Sequence, residues 1–122
     1  MAHYVFRVRF RVDSTDPTVT VEPRRFETVL RKEAAPPGDD DWLFFRDNLW
    51  RGEVNDEGHL RELATDTLGV EVESVSFREL VCSQPYLDAL TEEIEDNLDL
   101  FRAEDAGEVL HKYLGSSVRV SK

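Results

Sequence analysis

Tyr4-Val5-Phe6-Arg7-Val8-Arg9-Phe10-Arg11-Val12 decides the fold class, because it alternates without a break. Tyr4, Phe6, Val8, Phe10 and Val12 fall on one side, and His3, Val5, Arg7, Arg9 and Arg11 on the other. That is the period-two pattern of a strand with one face on a core and one toward water. Asp13-Ser14-Thr15-Asp16-Pro17 is a turn cluster, and residues 18–21 resume β-branched alternation, so a hairpin with a short second strand is expected. Residues 23–34 fit two periods. Pro23 can open a helix with Phe26, Val29, Leu30 and Ala34 on one face, while Phe26, Thr28 and Leu30 also fit a strand; the helix is preferred.

Ala35-Pro36-Pro37-Gly38 and the carboxylates Asp39, Asp40 and Asp41 interrupt either element and form a surface loop. Residues 42–51 read as a strand apolar on both sides, with Leu43, Phe45 and Leu49 opposite Trp42, Phe44 and Trp50, the pattern of a central strand. Asn55 is a candidate cap for a helix with Leu60, Leu63, Ala64 and Leu68 as its stripe and Gly69 as its stop. Alternation returns over residues 70–82, with Val75, Phe77 and Val81 opposite Ser74, Ser76 and Arg78. Ser83 then caps an amphipathic helix carrying Leu87, Leu90, Ile94, Leu98 and Phe101, whose acidic outer face is solvated. Asp105 and Glu108 resemble a capping box before a short last helix ended by Gly115, and residues 117–120 add an edge strand. The expected architecture is α+β: a mixed, mostly antiparallel sheet of about four strands, with three or four helices packed mainly on one face.

A chain of 122 residues falls within the size of one domain, so residues 1–122 are expected to share one core,. No apolar run approaches the roughly 20 residues of a membrane-spanning helix. Residues 1–4 lead into the first strand without an apolar signal core, so a cytoplasmic location and no membrane partner are expected. The lone Cys82 permits no internal disulfide and reads as a small buried side chain,. Against 26 acidic groups stand 15 basic ones, twelve of them arginine, with lysine only at 32, 112 and 122. Abundant carboxylate and scarce lysine is the composition of a protein adapted to molar salt. Residues 1–51 hold nine basic and nine acidic groups, whereas residues 52–122 hold six and seventeen, so the net charge of −11 belongs to the second part.

Catalytic constellations are absent from the pattern. His3, His59 and His111 lie in three different elements, no glycine loop cradles a phosphate, and Asp39–Asp41 lacks the spacing and glycine of a calcium loop. No catalytic residue, metal site or cofactor is assigned, and an enzyme is the least favoured reading. One constellation remains. With the odd positions of the first strand facing outward, Arg7, Arg9, Arg11, Trp42, Phe44, Arg46, Trp50, Arg51 and Arg78 gather on or beside one sheet face. Arginine and tryptophan dominate binding hot spots, and the same pair stacks on bases and grips phosphates. At about 1 M salt the screening length falls to roughly 3 Å, so contact-range interactions outlast long-range capture. This favours a non-catalytic protein-interaction module, with a protein partner or a second copy, over an RNA- or nucleotide-binding module using the same face.

Several blocks resemble the LWR-salt proteins of halophilic archaea, named for Leu49-Trp50-Arg51. They are Tyr4-Val5-Phe6-Arg7-Val8-Arg9-Phe10, Trp42-Leu43-Phe44-Phe45-Arg46-Asp47-Asn48-Leu49-Trp50-Arg51-Gly52-Glu53, Val75-Ser76-Phe77-Arg78-Glu79-Leu80 and Tyr113-Leu114-Gly115-Ser116-Ser117. The resemblance covers nearly the whole chain. It implies a haloarchaeal cytoplasmic origin and brings no activity, ligand or catalytic residue with it.

Overall fold

The structure, a computed structural model, describes residues 2–12, 16–20 and 25–121. The opening alternation becomes β1 (Ala2–Arg11), with Tyr4, Phe6 and Val8 buried and Arg7 and Arg9 exposed. β1 is central. It pairs antiparallel with β2 (Arg25–Glu33) on one side and with β5 (Glu71–Cys82) on the other. β6 (Val118–Val120) adds to β5 in parallel, giving the strand order β2-β1-β5-β6. Between β2 and β5 the chain forms α1 (Phe44–Asn48), a hairpin of β3 (Leu49–Trp50) with β4 (Glu53–Val54), and α2 (Glu57–Leu68). α3 (Gln84–Glu95), a 3-10 turn at Leu98–Leu100 and α4 (Ala106–Leu114) connect β5 to β6. The fold is α+β with a mixed sheet, as expected.

Several local expectations are corrected. Residues 25–33 are strand, not helix, because nine consecutive positions pair with β1, and Glu27 stands opposite Arg9. Cross-strand partners decide a segment whose apolar residues fit both periods. The hairpin expected at residues 18–21 is made by β2 instead. Thr18 donates to the Asp16 carboxylate from both its amide and its hydroxyl, and the Val19 amide donates to the Asp16 carbonyl, so residues 16–19 turn; Val21 lies outside the described residues.

Residues 42–51 are not a central strand. Asp41 takes a φ of 68°, and the amides of Phe44 and Asp47 donate to the carbonyls of Asp41 and Leu43, winding the segment into α1. Phe44, Phe45 and Leu49 then reach the core at helix-like spacing,. Apolar residues on consecutive positions satisfy a buried helical turn as well as a buried strand.

The caps mostly follow the sequence. Ser83 accepts from the Tyr86 amide, and Asp105 accepts from the Glu108 amide. Glu108 in turn accepts from the Glu104 amide, one residue before the cap. α2 is capped by Asp56, which accepts from the His59 amide; Asn55 lies one residue too early and bonds back to Asp47 and Asn48. Gly69 ends α2 at a φ of 70°.

The helices lie against the even face of β1. Phe44 packs on Tyr4 at 4.8 Å and on Phe6 at 6.2 Å between ring centroids, and Leu60 and Ala64 of α2 join the same buried cluster. Phe101 stacks on Phe45 at 5.8 Å, with Trp42 and Tyr113 edge-on to both. Cys82 is buried, which pushes its thiol up and keeps it protonated,. Among the described residues no helix is long and apolar enough to cross a membrane.

β5 contains two register shifts opposite β1, at Val5/Phe6 and Arg9/Phe10. The shift beside Phe77 sends Val81 to the outer face, opposite His3, although strict alternation places it inward with Val75 and Phe77,. Val5 and Val81 are buried yet lie apart from the core cluster. Flanking arginine stems can cover such residues while their charged heads stay in water.

Candidate interaction surfaces

Leu49-Trp50-Arg51-Gly52 forms a clamp on the end of α4. Leu49 is fully buried and anchors the hairpin, while Arg51 and Gly52 take φ values of 53° and 81°, both on the positive side as in a type I′ turn,. The Arg51 amide donates to the Lys112 carbonyl at 2.8 Å, and the Gly52 amide donates to the Tyr113 carbonyl at 3.0 Å. Those carbonyls belong to the last turn of α4, where no N–H donors within the helix reach them. The hairpin therefore completes the helix end with backbone donors,. Contact is close enough that a Cβ on Gly115 would stand 3.2 Å from the Arg51 oxygen, and one on Gly52 3.1 Å from the Leu114 oxygen.

The clamp holds Trp50 at the surface, 43% exposed. Its ring meets Tyr113 edge-on at 5.7 Å and has Arg51 Cζ at 5.7 Å and Lys112 Nζ at 5.6 Å. Lys112 is further fixed by donating to the Phe101 carbonyl at 3.1 Å. Arg51, His111 and Lys112 line an open cleft with Trp50, Glu108 and Ser116. In a chain of net charge −11 this is a local surplus of cations around an aromatic ring.

The outer sheet face is a second, separate surface. Arg7, Arg9 and Arg11 share it with Arg25, Val29 and Arg31 of β2 and with Ser74 and Ser76 of β5. Much of its charge is answered within the chain: Arg7 and Arg9 meet Glu27 at 3.1 and 3.2 Å, Arg25 meets Glu73 at 3.2 Å, and Arg119 meets Glu79 at 3.0 Å. Exposed pairs of this kind contribute little stability, but they hold the guanidinium groups extended.

The nine residues expected to form one surface are divided. Arg7, Arg9 and Arg11 stay on the sheet face, and Arg78 lies at the register shift between Phe77 and Glu79. Trp42 is half-buried against Phe45 and Phe101, and Phe44 is buried beneath Lys32 Nζ at 4.7 Å. Arg46 pairs with Asp47 on α1 at 2.9 Å. Trp50 and Arg51 form the hairpin. The tryptophans leave the sheet face because the strand that would have carried them is a helix and a hairpin. Lys112, His111 and Tyr113 were not assigned to a surface by sequence: His111 stood as an isolated histidine and Tyr113 lay in the last helix, and the helix stop at Gly115 says nothing of what docks there.

An α+β protein with helices on one side of its sheet and a clamped tryptophan hairpin is the class defined by this geometry. The chain matches the family model for LWR-salt proteins over residues 1–122 and belongs to that family. No curated protein and no solved structure matches it.

Proposed function

We propose that this protein is a non-catalytic protein-interaction module of a salt-adapted cytoplasm, and that its anchor is the Trp50 cleft rather than one continuous Arg/Trp sheet face. The exposed Trp50 carries this reading. It is a large apolar ring held in one orientation by backbone hydrogen bonds, with Arg51 and Lys112 beside it. Rigid tryptophan with neighbouring arginine is the combination that concentrates binding energy, because it removes apolar area from water at little ordering cost and still offers directed donors. The surrounding cations suit a partner segment bearing carboxylates. At molar salt their contribution comes from short charge-assisted hydrogen bonds, not from attraction at a distance.

Affinity capture of the tagged chain from its native host in molar KCl tests this. A stoichiometric protein partner is expected with the wild type and not with Trp50→Ala, whose loss of about 2 kcal/mol or more weakens binding roughly thirtyfold. Unchanged capture by Trp50→Ala refutes the reading. Enriched RNA in place of protein supports the alternative, an RNA- or nucleotide-binding module. The arginine row favours that alternative, although β1 and β2 place no phenylalanine, tyrosine or tryptophan on the outer face for bases to stack on,.

A further inference from the structure

β2 is the edge of the four-stranded sheet, and among the described residues no backbone group bonds to its open side. A nine-residue edge strand is a template for another strand, and charge is a common protection against such pairing,. β2 carries that charge in a particular order. Along the outer face run Arg25, Glu27, Val29, Arg31 and Glu33, which is positive, negative, apolar, positive, negative. Read backwards, the series becomes its own complement.

That order has a geometric consequence. Lay a second copy antiparallel along β2, with a two-fold axis perpendicular to the sheet at Val29. Arg25 then faces the partner's Glu33, Glu27 faces the partner's Arg31, and the two Val29 side chains meet. All four charged pairs are opposite in sign. A slide of two residues, the smallest that keeps outer face beside outer face, sets Arg25 against the partner's Arg31 or Glu27 against the partner's Glu33. Like charges directly opposite one another oppose pairing. The charges on this edge therefore reject the adjacent registers and accept one.

We propose that two copies of the chain join through β2 in this register, forming one eight-stranded sheet with all helices on the same side. Two observations agree. Among the described residues neither Arg31 nor Glu33 has an ion pair in its own chain, whereas Arg7, Arg9, Arg25 and Arg119 do. Val29, 37% exposed, sits on the axis, where its own counterpart covers it. On the inner side Phe26 faces the partner's Lys32, and Thr28 faces the partner's Leu30.

Sedimentation equilibrium of the full chain tests the proposal, at molar KCl and at the lowest KCl concentration that keeps the chain folded. The expected mass is twice the 14.1 kDa of one chain. Arg31→Glu/Glu33→Arg makes all four pairs like-charged while removing no ion pair within the described chain, and is expected to yield the monomer mass with unchanged circular dichroism. Val29→Cys is expected to form an intermolecular disulfide on mild oxidation. Directly paired residues approach to about 4.5–5.5 Å at Cα, within disulfide range, whereas the off-axis Arg31→Cys places its two sulfurs too far apart. A wild type that stays monomeric at every concentration, a dimer that survives the charge reversal, or cross-linking no greater at position 29 than at position 31 overturns the proposal.

Discussion

Substitution of Gly115 measures how tightly the Trp50 hairpin is held to α4. Its φ of 62° and ψ of −136° lie where side chains are rarely accommodated,. A Cβ there would also stand 3.2 Å from the Arg51 oxygen and 3.3 Å from the Arg51 carbonyl carbon. Gly115→Ala thus has two costs. Backbone strain contributes about 1–3 kcal/mol. The second cost arises because the crowded neighbour is backbone, so relief requires the hairpin to withdraw from α4. Withdrawal lengthens the bonds from the Arg51 and Gly52 amides to the carbonyls of Lys112 and Tyr113, each contributing about 0.5–1.5 kcal/mol net,. Together the loss is about 2–6 kcal/mol. At roughly 4 °C per kcal/mol for a chain of this length, the melting temperature falls by about 8–24 °C. Gly69→Ala is the control, since Gly69 also has positive φ, at 70°, but a Cβ there meets nothing within 4 Å. Its cost is the backbone term alone, about 1–2 kcal/mol. Thermal melts of the two variants by circular dichroism in molar KCl decide the matter. If Gly115→Ala melts within about 2 °C of Gly69→Ala, the clamp adds no stability and Trp50 is not held as argued.

Phe101→Ala removes a buried ring stacked on Phe45 and is expected to cost about 3–5 kcal/mol, read as a lowered denaturation midpoint,; a loss under about 1 kcal/mol would mean that the aromatic cluster is not packed as described. Burial pushes Tyr86 up to about 12 and Tyr4 higher still, so both stay protonated in the folded chain while the unfolded chain begins to lose its protons near the ordinary value of 10.0,. Their contribution is therefore complete below that pH and is lost as pH rises, at up to about 1.4 kcal/mol per pH unit for each tyrosine, and Tyr86→Phe should make the decline shallower. Screening of the surplus carboxylates predicts loss of cooperative folding on dialysis to low ionic strength. A melting temperature indifferent to KCl would contradict salt adaptation.

The sequence was most legible where one face of an element meets the core and the other meets water. Residues 4–11 alternate because β1 lies between a helix layer and an open face, and α3 and α4 begin at the residues whose side chains cap them. Legibility failed where both periods satisfied the same apolar residues. Phe44, Phe45 and Leu49 are buried whether residues 42–51 are extended or wound, and the deciding features, the left-handed Asp41 and the docking of Arg51 and Gly52 on α4, are tertiary. The register shifts in β5 were equally hidden, since a bulge inserts one residue without a compositional mark; Val81 changes face for that reason,. The candidate site suffered most. Placing Trp50 beside Arg7 and Arg9 required residues 42–51 to lie in the sheet, and once they leave it the arginine row and the tryptophan become separate surfaces.

Misreading β2 as a helix hid more than a secondary-structure state. Residues 25, 27, 29, 31 and 33 spread around a helix and carry no common message, so their charges look like ordinary solvation. Paired with β1, the same five residues share one face and one edge, and their order of signs becomes a statement about register. A protective edge needs only charge, in any order. Arg31 and Glu33, which have no ion pair among the described residues, are the ones that face Glu27 and Arg25 across the axis, and the exposed valine falls on the axis itself. Charge order, unmet charge and exposed apolar area are three independent properties of β2. A strand shaped only to stay single would have no need to align them.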